Sequence, residues 1–501
     1  MKSTSFYIFL IKLLKIPISL WIYVLMANFF GVSKEKDVWL VAYTLIISID
    51  LAIWGPLNDI FRTKFIFLKS EEGEEKAVER TRSLLFYIIT ISILIMGVIL
   101  IFPDVLINFI APNYQGDTLL LLRSIIRILA PILLINQLTL ILTSVLNAYN
   151  TFYVPEIAAF ITQLITIAIL FIAVKYLGIY SLVVSTYVGL LVLLGLLVLF
   201  ISKKKINLLQ LSKPSFKDFQ LFFIYALPLF LPYLVGQINI IYEKQLLSFL
   251  PTGAVSVLDF GKKFPDMLSG IINSVIFTVL IPNITKHFYS NKAIEFNKDF
   301  ANFIKLGLLI LGFFFVFMFF GADEIVNIFY KKSTIDSRSL QQIAILSILY
   351  SLSIIGVFFY VLFGVGVLSM GKNKLNGIIG VFTQISVIVF NFIFIQTWGI
   401  YTFPMSILLV HLLSAIYMFF SISYFDKYTI LCTVFKYILY IAISFSILYF
   451  FYYANILNIE NDILKVIFLF SMQLFVFILL GIIMHIEEVK DTFIYLKKKF
   501  I

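Results

Sequence analysis

The chain is short of nearly everything a soluble enzyme uses. Of its 501 residues only 13% are charged, three are histidine, and Cys432 is the single cysteine. One cysteine excludes a disulfide within the chain and a zinc cluster of several thiolates. His287, His411 and His485 lie far apart in sequence and match no metal-ligand spacing. Soluble domains carry about 25% charged residues, so this composition rules out a water-soluble catalyst. Long polar segments are missing too. The longest segment expected outside runs only from about Gly321 to Ser339, too short for the folded exterior region of a membrane glycosyltransferase or polymerase.

What is present is apolar: 61% of the residues are hydrophobic and 17% aromatic, enough for fourteen spans of about 20 residues each. Apolar runs between polar breaks cover 6–30, 37–62, 82–110, 119–147, 154–175, 178–202, 218–249, 254–287, 299–328, 339–369, 375–397, 399–425, 433–454 and 464–486. No run alternates with period two, which argues against a β-barrel. The expected fold is an all-α polytopic membrane protein of about fourteen transmembrane helices. Gly31-Val32-Ser33-Lys34 after the first run offers no small-residue cleavage site, so that run reads as a retained span.

Basic residues set the orientation. They concentrate at Arg62 to Arg82, at Lys203-Lys204-Lys205 with Lys213 and Lys217, and at Lys497-Lys498-Lys499. All three groups share one side if both termini are cytoplasmic, as expected for a multi-pass protein of the inner (cytoplasmic) membrane. The net charge of +11 then faces anionic lipid and does not mark a nucleic-acid site.

An internal repeat is visible. Thr162-Gln163 and Gly178-Ile179-Tyr180 recur as Thr383-Gln384 and Gly399-Ile400-Tyr401, and Ile157/Ile378, Ile167/Ile388, Phe171/Phe392 and Ile172/Ile393 keep the same offset of 221. Helices 1–6 then correspond to helices 7–12, two parallel lobes related about the membrane normal with a cavity between them. The expected segments are a six-helix lobe at 1–205, a second at 206–428, and a helix pair with a basic tail at 429–501.

A Lys or Asp at a helix centre costs about 2.5–3.5 kcal/mol on insertion scales, so each buried charge calls for a reason. Asp259, Lys262, Lys263 and Asp266 fall on one helical face, either as a cationic stripe facing the cavity or as a self-compensating cluster that closes the lobes. Pro265 beside them weakens the local backbone bonding. Lys12 and Lys15, three residues apart, either bind an anion or snorkel to headgroups. Asp50, ahead of Gly55-Pro56, reads as a counter-ion, a protonatable coupling site or a neutral acid bonded to freed backbone. Glu243-Lys244 reads first as an interfacial pair and second as a counter-ion site. Arg123 and Arg127 either guide anions at the outer mouth or fix a helix end. Gly366 to Lys372 has the spacing of a phosphate loop, but Asn373 stands where Ser or Thr should hold magnesium, and the segment ends a span. ATP is therefore not the expected energy source. His411 reads as a packing histidine ahead of a proton relay.

Several stretches are similar to one family. Phe29 to Asp37 followed by Val41-Ala42 resembles the first exterior turn of the MurJ (MviN) lipid II flippases, within the superfamily of polysaccharide exporters and MATE antiporters. Arg127 to Pro131, Ser144 to Ala148 and Phe152 to Pro155 resemble that family's helix 4–5 turn, and Thr278 to Pro282 its end of helix 8. The resemblance implies two six-helix lobes around a cationic cavity, a final helix pair forming a groove for a polyprenyl tail, and no enzymatic step. It implies alternating access driven by Na+, H+ or membrane potential, without a bound cofactor. The implied partners are membrane lipids and an undecaprenyl-diphosphate-linked glycan, with a monomer that can associate with glycan-assembly enzymes. Lys263 stands at the family's basic position on helix 8, and Asp37 at its acid, a gating residue. The family's arginines of helices 1 and 2 are missing; Ile22 and Tyr23 fill part of that stretch, leaving Lys12 and Lys15. Lysine is a point charge without the bidentate fork that suits a diphosphate, so the cargo reads as lipid II or a surface-polysaccharide unit. The alternatives are a cation-coupled exporter of small amphipathic compounds, which needs an acid-dominated cavity, and a membrane-embedded glycosyltransferase, which needs an exterior catalytic cluster.

Overall fold

The computed structural model describes residues 2–208, 210, 213–453 and 459–489; Lys497, Lys498 and Lys499 lie outside them. Over the described residues each expected run is mainly helical, and no strand occurs among them. The helices are α1 (Lys2–Phe30), α2 (Lys34–Glu71), α3 (Glu74–Ile101), α4 (Pro103–Ile110), α5 (Gly116–Leu129), α6 (Ile132–Ala148), α7 (Tyr153–Leu177), α8 (Tyr180–Lys203) and α9 (Phe216–Leu247). They continue as α10 (Ala254–Val275), α11 (Ile281–Tyr289), α12 (Ala293–Tyr330), α13 (Ser337–Ser369), α14 (Asn373–Trp398), α15 (Thr402–Ser421), α16 (Lys427–Tyr453) and α17 (Asp462–Ile483). Three runs are split in two. Pro103 opens α4, Ala130-Pro131 separates α5 from α6, and a π-helical turn over Ile276–Leu280 separates α10 from α11. Among the described residues eleven stretches are long and apolar enough to cross a bilayer, with α5–α6 and α14–α15 each counted as one. This is a multi-pass membrane protein.

The chain forms two compact units, Met1–Ser256 and Val257–Ile501. The break falls after α9, whereas the sequence repeat places a boundary at 205. Helix α9 packs within the first unit through aromatic contacts: Phe222 stacks on Phe61 at 5.5 Å, and Phe219 meets Tyr87 at 5.3 Å. Gly55 leaves room for the Tyr233 ring, whose hydroxyl donates to Asp59. In the second unit α16 and α17 are not set apart. Tyr437, Tyr440, Leu469 and Phe477 are buried in one core with Phe300, Leu308 and Leu311 of α12.

The repeat has a structural counterpart inside each unit. Gly178 ends α7 at φ 51°, ψ −131°, with its N–H bonded to the Val174 carbonyl. Gly399 ends α14 at φ 54°, ψ −134°, bonded to Ile395. Earlier in each repeat, Asn150 (φ 57°) and Gly371 (φ 73°) stop α6 and α13. The next N–H closes the same six-residue loop in both, Thr151 to Leu146 at 2.9 Å and Lys372 to Val367 at 3.2 Å. All these pairs keep the offset of 221. Phe171 and Ile172 are exposed on α7, as are Phe392 and Ile393 on α14, the pattern of lipid-facing surfaces.

Candidate functional site

In the first unit Lys12 and Lys15 converge on an acid that spacing does not reveal. Lys15 Nζ lies 3.1 Å from Glu156 Oε2, and Lys12 Nζ lies 3.7 Å from Oε1. Glu156 sits in the first turn of α7, where the helix end favours a negative charge. The acid beside these lysines is thus Glu156 and not Asp50. Asp50, buried on α2, takes a 2.6 Å hydrogen bond from Asn136 Nδ2 of α6. Two turns on, Asn58 and Gln137 exchange reciprocal amide bonds of 3.1 and 2.8 Å. A polar seam therefore joins α2 to α6, and neither Asn136 nor Gln137 is recognisable as a site from sequence.

Asp37 lies at the start of α2, where Ser33 caps the helix by accepting the Lys36 N–H. Its buried carboxylate accepts from Gly253 N (2.6 Å), Ser256 N (2.8 Å) and Ser256 Oγ (2.5 Å). These donors open α10, so an acid on one helix caps another more than two hundred residues away. Beside it a small polar cavity of about 150 Å³ is lined by Lys34, Asp37, Asn113, Tyr114, Thr118 and Ser248. Burial first, and then the Asp37 charge, raise the Tyr114 phenol above its ordinary value. Arg123 is committed to Asp104 through Nε at 2.8 Å, while Arg127 is exposed. Glu243 and Lys244 pair at 2.9 Å with Lys244 buried.

In the second unit the stripe on α10 forms as the helical period requires. Asp259, Lys262 and Lys263 are half-buried and Asp266 is exposed. The carboxylates of Asp259 and Asp266 both act on the Lys263 ammonium, so this cation carries counter-ions on its own helix. Helix α10 continues through Pro265 and gives way only at the π-helical turn. An apolar groove of about 580 Å³ lies between α12, α16 and α17, lined by Leu306, Ile310, Phe313, Tyr440, Phe470 and Phe477. Gly366 to Lys372 proves to be a helix stop, with Lys372 Nζ on the Ser421 carbonyl at 3.0 Å. His411 shares 2.8 Å with the Ile407 carbonyl and packs edge-on to Tyr360, as a packing histidine does. Among the described residues no group of three potential metal ligands occurs.

Known proteins place this architecture. The family model described as lipid II flippase MurJ matches residues 26–478. A Borreliella burgdorferi protein described as a probable lipid II flippase MurJ is 27% identical over 343 residues, covering 67% of this chain and 66% of the relative. A Buchnera aphidicola relative of the same description is 26% identical over 300 residues, covering 57% of each. These alignments thus span somewhat less than two thirds of the relatives' own lengths. Among solved structures, a lipid II flippase MurJ in an inward closed conformation superposes with a TM-score of 0.80 at 21% identity, over 97% of this chain and 100% of that one. An inward-facing MATE multidrug transporter reaches 0.67 at 15% identity, over 83% and 94%. At such identities the structures establish the fold. The match across residues 26–478 establishes the lineage: the chain belongs to the lipid II flippase MurJ family.

Proposed function

We propose that the protein is a flippase that carries an undecaprenyl-diphosphate-linked saccharide across the cytoplasmic membrane by alternating access, with lipid II as the first candidate cargo. The observation that carries this reading is the family match over residues 26–478. The charges fit the task. Taking a diphosphate out of water is costly unless cations meet it, and Lys12, Lys15, Lys262 and Lys263 are the ones we assign to that role. The groove between α12, α16 and α17 has the apolar lining a polyprenyl tail needs. No bond is made or broken, so the work must come from an ion gradient or the membrane potential.

Both termini are cytoplasmic in this reading, which puts the Asp37 cap and Arg123 at the outer end and Lys12, Lys15 and Glu156 toward the inner one. Asp37 then holds the first turn of α10 to the start of α2 at that outer end. Depleting the native protein and supplying variants in trans tests the reading. Lys263→Ala should lower lipid II flipping without lowering membrane abundance. Full flipping in that variant counts against the cationic role. A cell that keeps lipid II flipping but loses a surface polysaccharide moves the cargo to that glycan. The MATE likeness supports a shared fold and no more, so small-molecule export ranks second.

A further inference from the structure

We propose that Glu156 is a resident counter-ion and the specificity-determining residue of a phosphate site on α1: it holds Lys12 and Lys15 and yields to a diphosphate, but not to a singly charged headgroup. The inference rests on the flippase reading above. Lys12 and Lys15 stand three residues apart on one face of α1, where two ammonium groups repel each other. The Glu156 carboxylate gives each lysine its own oxygen, at 3.7 and 3.1 Å. Lysines gathered this way are set for a second anionic group presenting several oxygens, and the triad keeps one net positive charge to attract it.

Displacement leaves Glu156 with somewhere to go. Its side chain is 24% exposed, and it sits in the first turn of α7, whose unpaired N–H groups and dipole stabilise an anion. Lys12 is 57% exposed and Lys15 25%, so neither ammonium is sealed off by the surrounding protein. A phosphodiester headgroup carries a single negative charge, the same as Glu156, and gains little by replacing it. A diphosphate brings more charge and more acceptors, and the exchange favours it. The same competition keeps the bound state weak enough for release, which a carrier requires.

The test is binding of radiolabelled undecaprenyl diphosphate to the full-length protein in nanodiscs of phosphatidylcholine or of phosphatidylglycerol. Glu156→Gln should bind about three- to tenfold tighter in phosphatidylcholine, the scale of one partly exposed charge interaction. In phosphatidylglycerol that gain should vanish, because the anionic lipid now competes. Glu156→Asp should behave as wild type in both, and the Lys12→Ala/Lys15→Ala pair should lose most binding. Equal or weaker binding by Glu156→Gln in phosphatidylcholine overturns the proposal and leaves the acid as a tether between α1 and α7; a variant that does not fold does the same. Wild-type protein that binds no undecaprenyl diphosphate removes the flippase reading as well. Wild-type binding with an indifferent Glu156→Gln removes this inference alone.

Discussion

In the first unit α2 meets α6 through Asp50–Asn136 and the reciprocal Asn58–Gln137 pair, and α9 through Tyr233 on Asp59. In the second, α10 meets α13 through Gly261 against Leu346 and a 2.9 Å bond from Ser347 Oγ to the Gly261 carbonyl. Around α12, rings dominate: Phe300 on Phe425 at 4.7 Å, Phe313 on Phe477 at 5.0 Å and Phe319 on Phe445 at 4.7 Å. Lipid tails are as apolar as these rings, so burial alone does not hold helices together in a bilayer. Ring packing is prominent around α12 in the second unit, while in the first unit paired polar groups add to the aromatic contacts of α9. The contrast teaches that turns can match across the two units while the seams between their helices differ.

The largest effect should come from a cap between helices set against a cap within one. Asp37→Ala strands three buried donors on Gly253 and Ser256, at a cost of about 3–5 kcal/mol. Asp336 is the exposed cap of its own helix α13, accepting from Ser339 N at 2.6 Å, and Asp336→Ala should cost about 1 kcal/mol. Melting of the purified variants and their membrane abundance would measure both. Equal losses would mean that the buried Asp37 knot is no stronger than a surface cap.

The next test addresses the repeat. Gly178 and Gly399 share a backbone conformation, φ near 50° with ψ near −130°, that residues with a Cβ rarely adopt. In each the nearest side chains leave open space around an added Cβ, so Gly178→Ala and Gly399→Ala should cost the same backbone strain, about 1–3 kcal/mol each. A large inequality in the two melting shifts would break the equivalence of the turns. At the preceding turn the residues differ, and Asn150→Gly should be close to neutral whereas Gly371→Val should destabilise by about 1–2 kcal/mol. Asn150 tolerates its φ of 57° because asparagine enters this region more readily than branched residues.

These comparisons mark how far the sequence could be read. The apolar runs were legible because a bilayer demands about 20 apolar residues per span, and the Asp259–Asp266 face because a helix repeats every 3.6 residues. The Gly-Ile-Tyr recurrence was legible because each glycine takes a backbone conformation that other residues rarely adopt, whereas Thr-Gln lies inside α7 and α14 and marks no turn. Glu156 was not legible, since it meets Lys15 across 141 residues, nor was the Asp37 cap, which spans 219. Such pairings are properties of topology, and local periodicity carries no trace of them. The place of α9 was hidden likewise: the repeat counts it as the start of the second half, while its aromatic face packs against α2 and α3 of the first.

The smallest effect expected lies where the second unit adds charge to ring packing. Beyond α17, Glu487 and Glu488 bind Lys305 of α12 at 3.3 and 3.2 Å, Tyr437 donates to Glu488, and Lys436 reaches the His485 carbonyl at 3.1 Å. Burial alone would raise the Glu488 carboxyl, but the Tyr437 hydrogen bond and the Lys305 charge outweigh it and hold the group below its usual range. A lowered folded value means stabilisation that is present above the ordinary glutamate range and lost as pH falls through the lowered one. Glu488→Gln should therefore melt slightly below wild type at neutral pH, with the gap closing in acid below about pH 4. Cys432 lies in the same pocket as Lys305, Lys436 and Glu487, so thiol labelling at neutral pH should be faster in Glu488→Gln. An unchanged labelling rate with a constant melting gap would mean that packing, as elsewhere in this unit, holds the segment, and that the charges only decorate its edge.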